Sequence, residues 1–258
     1  MSRLEGKIAI VTGAGQGVGK GIARAFGRQG ATVVLAGRTE KKVQLVAEEM
    51  LADSMSAMAI RCDVADREDI KATVAATVER YGTVDILVNN AAIGYEEGDV
   101  TEWPSVEDTT EDYFRSVQDV NLIGTLLFMQ ACLPYMKAHG GKIINLASGL
   151  ATEGVARLAS YTASKEAVRG LTRVAAKEWG PYGINVNVIA PFALSPALSK
   201  IRDEQPEQFT AWLQNVPLRY AGDCEHDVGP VAVFLASEDG RYMTGHTLMV
   251  DGGMMVLR

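Results

Sequence analysis

One short stretch near the amino end constrains this chain more than any other. The apolar run Lys7-Ile-Ala-Ile-Val-Thr12 leads straight into Gly13-Ala-Gly-Gln-Gly-Val-Gly19, and helical spacing follows from Lys20 to Gln29, with Ile22, Ala23 and Phe26 on one face. A buried parallel strand, a glycine turn and a helix are thus expected in direct succession. Glycines permit the tight turn and let the backbone approach a diphosphate closely. The helix behind them presents free N–H groups and the positive end of its dipole. The turn lacks the Gly-Lys-Ser/Thr ending of a P-loop and fits no strict GxGxxG frame; its pattern is TGxxxGxG, on Thr12, Gly13, Gly17 and Gly19. A purely structural turn is the alternative.

The same alternation continues along the chain. Strands are expected at Ala31–Ala36, Ser56–Arg61, Asp85–Val88, Gly141–Leu146, Ile184–Ala190 and Thr247–Val250. Helices are expected at Glu40–Leu51, Arg67–Arg80, Asp112–Lys137, Ser160–Trp179 and Asp227–Ala236, with Pro134 ending or kinking the third of these. Residues 194–216 read as irregular with some helical character. This order gives an α/β fold: a single-domain, Rossmann-like, doubly wound parallel sheet of about seven strands with helices on both faces. A TIM barrel fits the length of 258 residues but needs eight similar strand–helix units. One domain over 1–258 is expected, without linker or repeat.

Composition limits the function. The formal charge of −7 weighs against a general nucleic-acid binder. No apolar run reaches the roughly 18–20 residues that cross a bilayer, and the start MSRLEGKIAIVTG has no long apolar signal core, so a cytoplasmic protein is expected. Three cysteines (Cys62, Cys132, Cys224) cannot pair fully and fit a reducing compartment. Neither they nor His139, His226 and His246 show metal-ligand spacing, so no metal is expected.

Candidate cofactor contacts cluster at strand ends. Strand two ends at Ala36-Gly37-Arg38, where NAD sites commonly place an acid for the adenosine ribose. A guanidinium there favours a 2′-phosphate, hence NADP over NAD. Thr39 could cap the next helix or touch the same phosphate. Asp63, after strand three, fits the adenine amino group or a loop cap. Asn89-Asn90-Ala91-Ala92 close strand four.

A second constellation carries chemistry. Ser148 follows strand five, and Tyr161 and Lys165 stand four residues apart, on one helix face. A phenol with a reference pKa of about 10 is a poor acid near neutrality, and a neighbouring ammonium lowers the cost of its phenolate. A serine hydroxyl can hydrogen-bond the reacting oxygen. The set could protonate a carbonyl or accept the proton of an alcohol. Asn121, an unfavourable residue inside a helix, could take part in a water-linked path to Lys165.

This ordered set resembles the short-chain dehydrogenase/reductase family over residues 4 to 253, on Thr12–Gly19, Asp63-Val64, Asn89–Ala92, Asn121, Ser148, Tyr161-Thr-Ala-Ser-Lys165, Asn185–Pro191 and Thr244–Gly253. The resemblance implies that Tyr161 is the acid/base and that Ser148 orients the reacting oxygen. Lys165 would hold the nicotinamide ribose, and Asn121 would support a relay water. Together with the residues read above, cofactor contacts are expected on Gly13, Gln16, Gly17, Val18, Gly19, Arg38, Thr39, Asp63, Val64, Asn90, Ala91, Tyr161, Lys165, Pro191 and Phe192. It also implies a homotetramer, with a dimer as the alternative. Ala92 and Phe192 depart from the family's usual glycines, and Phe192 puts the local loop geometry in question.

The acidic Gly94–Asp112 stretch, with Tyr95, Trp103 and Pro104, is a candidate active-site rim, and 192–216 a candidate substrate loop and lid anchored by Trp212. The expected activity is NADP-dependent interconversion of a compact hydrophobic or aromatic alcohol and its ketone. The alternatives are an NAD-dependent dehydrogenase, a nucleotide-dependent epimerase or dehydratase, and a cofactor-binding regulatory protein without catalysis.

Overall fold

The computed structural model describes residues 2–94 and 103–255. Its seven strands are β1 (Ile8–Thr12), β2 (Thr32–Gly37), β3 (Ala57–Arg61), β4 (Ile86–Asn89), β5 (Gly141–Leu146), β6 (Ile184–Pro191) and β7 (Thr247–Val250). They form one parallel sheet in the order β3-β2-β1-β4-β5-β6-β7. The strand order reverses between β1 and β4, which opens a crevice beyond the carboxyl ends of those two strands. All seven expected strands are present, with bounds shifted by a residue or so.

The apolar runs are unbroken because both faces of the sheet are covered. Successive side chains point to opposite faces. Ala9 and Val11 of β1, with Val33 and Leu35 of β2, join a core with Ile22 and Phe26 of helix α1 (Gly17–Arg28) and Met50 of α2 (Glu40–Ala52). Ile10, Val34 and Ala36 join the opposite core, with Ile70 of α3 (Arg67–Tyr81) and Phe128, Met129 and Met136 of the helix that crosses from β4 to β5.

That crossing helix differs from the single one expected over 112–137. It is α4 (Glu111–Gln118), a π turn at Asp119–Ile123 and α5 (Gly124–Met136), and it runs past Pro134. The π turn carries Asn121. Gly124 begins α5 at the carbonyl of Val64, and a Cβ there would lie 2.6 Å from that oxygen. Downstream come α6 (Gly149–Glu153) and the long α7 (Ala159–Trp179).

Residues 194–216 are not irregular. They form α8 (Pro196–Glu204) and α9 (Pro206–Gln214), each with proline as its first residue, where the missing N–H costs nothing. A π turn at Cys224–Val228 then leads into α10 (Gly229–Ala236). Tyr95 and most of the first half of the expected 94–112 rim lie outside the described residues.

Candidate active site

The crevice between β1 and β4 opens into a cleft of about 610 Å³ at the carboxyl ends of the strands. Gly13 and Gly17 sit at φ +63° and +55°, a left-handed backbone that L side chains avoid. A Cβ on Gly13 would lie 2.8 Å from Asn90 Nδ2, and one on Gly19 would lie 2.5 Å from the Gly13 oxygen. Asn90 explains this tight fit. Its amide donates to the carbonyls of Thr12 (2.9 Å) and Gly13 (3.2 Å), while Thr12 Oγ1 accepts from the backbone N–H groups of Asn90 and Ala91. The turn is thereby locked to the end of β4. No side chain caps the N-terminus of α1; the Oε1 of Gln16, its N-cap residue, accepts from Lys42 Nζ at 2.6 Å. The glycine cradle and open helix end fit the diphosphate of a dinucleotide.

Most expected cofactor residues do line this cleft: Gly13, Gln16, Gly17, Val18, Arg38, Thr39, Asp63, Val64, Asn90, Ala91, Tyr161, Lys165 and Pro191. Gly19 and Phe192 do not. Gly19 sits behind the turn, and Phe192 is tied by its backbone to Val250 and Gly222. Phe192 has no positive φ, so the glycine usual in the family is not required at this position. Asp63 caps its own loop, its Oδ1 accepting from Ala65 N–H at 3.0 Å. Ser195, Pro196 and Lys200, from the expected 192–216 substrate loop, also line the cleft, and so does Lys42, which the sequence did not single out.

Tyr161 and Lys165 are both buried in the first turns of α7. Lys165 Nζ donates to the carbonyl of Leu146 at 2.9 Å and lies 5.7 Å from the centre of the Tyr161 ring. Ser148 follows β5 as the residue before α6 and is buried, as is Asn121; Leu146 and Ala147, just before Ser148, line the cleft. The amide of Asn121 is fully engaged: Oδ1 accepts from Ile93 N–H (2.9 Å), and Nδ2 donates to the Ile93 carbonyl (2.9 Å) and to Ser164 Oγ (3.0 Å). It ties the segment after β4 to α7. Gly94, just beyond, packs on the phenol; a Cβ there would meet Tyr161 Cδ2 at 3.3 Å.

A strand-end glycine cradle beside a buried tyrosine–lysine pair matches known proteins along nearly its whole length. The family model described as enoyl-(acyl carrier protein) reductase matches residues 13–255. The chain belongs to the short-chain dehydrogenase/reductase family. It is 37% identical to the 12alpha-hydroxysteroid dehydrogenase of Clostridium sp., covering 98% of each chain. It is also 37% identical to a 3-oxoacyl-(acyl-carrier-protein) reductase of Staphylococcus aureus, over 96% of this chain and 98% of that one. A solved structure assigned as a short-chain alcohol dehydrogenase of Sinorhizobium meliloti superposes with a TM-score of 0.89 at 34% identity, covering 97% of both chains. As a short-chain dehydrogenase/reductase, the protein is an NAD(P)-dependent oxidoreductase.

Among the described residues, no helix is long and apolar enough to cross a membrane.

Proposed function

We propose that the protein is an NADP-dependent oxidoreductase that interconverts a hydrophobic secondary alcohol and its ketone. The observation that carries the cofactor choice is the pairing of Arg38 with Lys42 at the β2 end of the cleft, where an NAD site would hold a carboxylate. Arg38 is exposed and makes no ion pair with any described residue, which leaves its guanidinium available to a 2′-phosphate. Bound there, the nicotinamide supplies or takes the hydride.

The chain's own groups handle the proton and the alignment. Tyr161 protonates the carbonyl oxygen during reduction and takes the alcohol proton back during oxidation. Ser148 hydrogen-bonds that oxygen. Lys165, held by Leu146, places positive charge beside the phenol and favours its ionised form. Both hydrogens of the Asn121 side-chain amide are taken, so the side chain fixes the Ile93 segment against α7, and a relay water at Asn121 would donate to its oxygens.

The apolar substrate preference rests on Ile93, Val120, Pro191, Pro196 and Ala197, which line the cleft. The names of the steroid-active and acyl-carrier relatives are consistent with an apolar substrate. We further propose a homotetramer built through α4, the π turn after it and α7, where Phe114, Ile123 and Val174 are exposed apolar residues; sedimentation at defined concentration tests it. The cofactor and substrate reading is tested by steady-state assays of a secondary alcohol and ketone panel with NADPH and NADH. The expected result is at least tenfold higher kcat/KM with NADP(H). A preference for NAD(H) overturns the cofactor assignment, and turnover with neither overturns the enzyme reading.

A further inference from the structure

Ser148 stands on a short support. The helix it opens, α6, has five residues, too few for its own hydrogen-bond ladder to hold it in place. Upstream, the Ala147 N–H donates to the Ile189 carbonyl of β6 at 2.9 Å. Downstream, the Ser148 carbonyl accepts from the Thr152 N–H at 3.3 Å and from Thr152 Oγ1 at 3.4 Å. On a third side, Met255 Sδ and Met249 Cε lie 3.1 and 3.2 Å from where a Cβ of Gly149 would stand. The place of the Ser148 hydroxyl is therefore set by whatever grips α6.

The grip on Thr152 comes from α7. Arg169 Nη1 lies 2.8 Å from both carboxylate oxygens of Glu166 and donates to Thr152 Oγ1 at 3.1 Å. Arg169 Nε donates to Thr247 Oγ1 of β7 at 3.3 Å. The Thr152 hydroxyl has a single hydrogen, and its two acceptors are the Ser148 carbonyl and Glu166 Oε1, the latter at 3.2 Å. One guanidinium thus ties α6, α7 and β7 together. It stands one helical turn beyond Lys165. The Arg169 side chain is only 15% exposed, against 40% for Glu166. An ion pair three residues apart on an open helix surface contributes little; this one reaches inward to the residue that holds the Ser148 carbonyl. Arg169, Glu166 and Thr152 have no role in the reading above.

We propose that Arg169 is a positioning residue for the Ser148 hydroxyl, acting through Thr152. With the guanidinium in place, the Glu166 charge is matched and α6 is tied to β7. Without it, the bare carboxylate draws the Thr152 hydrogen away from the Ser148 carbonyl, and the tie to β7 is lost. The hydrogen bond from Ser148 to the reacting oxygen strengthens as negative charge develops there, so a displaced hydroxyl is felt in the transition state more than in substrate binding. The proposal rests on the reading of Ser148 as the group that hydrogen-bonds that oxygen.

A double-mutant cycle tests it. Arg169→Met, Arg169→Lys and Thr152→Val are made in the wild type and in Ser148→Ala, and kcat and KM are measured with NADPH and the ketone of the panel that turns over fastest. Calorimetric NADPH titration and thermal melting accompany each variant. In the wild-type background, Arg169→Met and Thr152→Val should each lower kcat about tenfold, with KM and NADPH Kd near wild type. Arg169→Lys keeps the charge beside Glu166 but not the fork, and should recover part of the loss. Ser148→Ala already lacks the hydroxyl, so the same substitutions should cost less than about twofold more there. Thr152→Val leaves the ion pair intact and the volume nearly unchanged, so it decides the matter if Arg169→Met melts too low to assay. A kcat within twofold of wild type in both Arg169→Met and Thr152→Val overturns the proposal, and so do losses that multiply in full with that of Ser148→Ala. Ser148→Ala at the wild-type rate overturns the role of Ser148 itself and the proposal with it, which tells that failure from the other two.

Discussion

Lys165 Nζ donates to the carbonyl oxygen of Leu146 at 2.9 Å, which pins a buried cation of α7 to the last residue of β5. That bond fixes where the ammonium stands relative to Tyr161, one turn earlier on the same helix face. Removing the phenol and removing the ammonium should therefore differ in kind. Tyr161→Phe keeps the ring and the packing and deletes only the proton carrier, so kcat should fall by about 100-fold or more while melting and NADPH affinity stay near wild type. Lys165→Met should lower kcat and also weaken cofactor binding, because the ammonium would serve both. Steady-state kinetics with calorimetric NADPH titration checks this. Tyr161→Phe with near wild-type kcat would remove the phenol from the mechanism.

The glycine turn makes a second distinction measurable. Gly13 and Gly82 both sit at positive φ, +63° and +84°. A Cβ at Gly82 meets nothing within 4 Å, whereas one at Gly13 meets Asn90 Nδ2 at 2.8 Å and Ala91 Cα at 2.9 Å. Gly82→Ala should cost only the left-handed backbone penalty, about 1–2 kcal/mol, with unchanged NADPH affinity. Gly13→Ala should pay that and also push the turn off β4, so its NADPH Kd should rise by an order of magnitude. Equal NADPH affinities for the two variants would show that close packing on Asn90 does not shape the cofactor site.

These contrasts explain what was legible in the sequence. The strands could be read because a sheet covered on both faces needs runs such as Ile8–Val11, which leave no polar alternation to misread. The Tyr161–Lys165 pair could be read because spacing alone puts both on one helix face. The π turn around Asn121 could not, since an extra residue in a helical turn leaves no mark on hydrophobic period. Helices α8 and α9 were hidden by Pro196 and Pro206, which look like breakers but stand at first helical positions. Lys42 and Lys200 are exposed residues whose meaning depends on which distant element lies opposite, and no local pattern encodes that.

A third prediction concerns the inside of the sheet. Asn89 Nδ2 donates to Asn145 Oδ1 at 2.8 Å, and Asn145 Nδ2 donates to Thr172 Oγ1 on α7 at 2.9 Å. Asn89 and Asn145 are register partners on β4 and β5, and all three residues are buried. Asn145→Ala strands the Asn89 amide and the Thr172 hydroxyl without their partner. The cost should be about 2–3 kcal/mol, or several degrees of melting temperature for a chain of this size. Thermal unfolding measures it directly, and a melting point within a degree of wild type would mean that this network is not holding α7 to the sheet.

The thiols, Cys62 and Cys132 buried and Cys224 partly buried, make stability depend on alkaline pH. Burial pushes Cys62 to about 11, Cys132 to about 12 and Cys224 to about 11. In the unfolded chain a thiol ionises at about 8.5. Below that pH both states hold the proton and the thiols contribute no pH dependence. Above it the unfolded chain binds fewer protons than the folded one, so stability falls as pH rises, until the folded thiols ionise in turn. The melting temperature should therefore decline between pH 8.5 and 11, and Cys132→Ser, which has no ionisable thiol, should show a shallower decline even if it starts lower. The same protonated, buried state should make Cys62 and Cys132 slow to alkylate with iodoacetamide at pH 8 in the native protein and fast in denaturant. A wild type and a Cys132→Ser variant with parallel melting profiles across this range would show that Cys132 is not what links alkaline pH to unfolding.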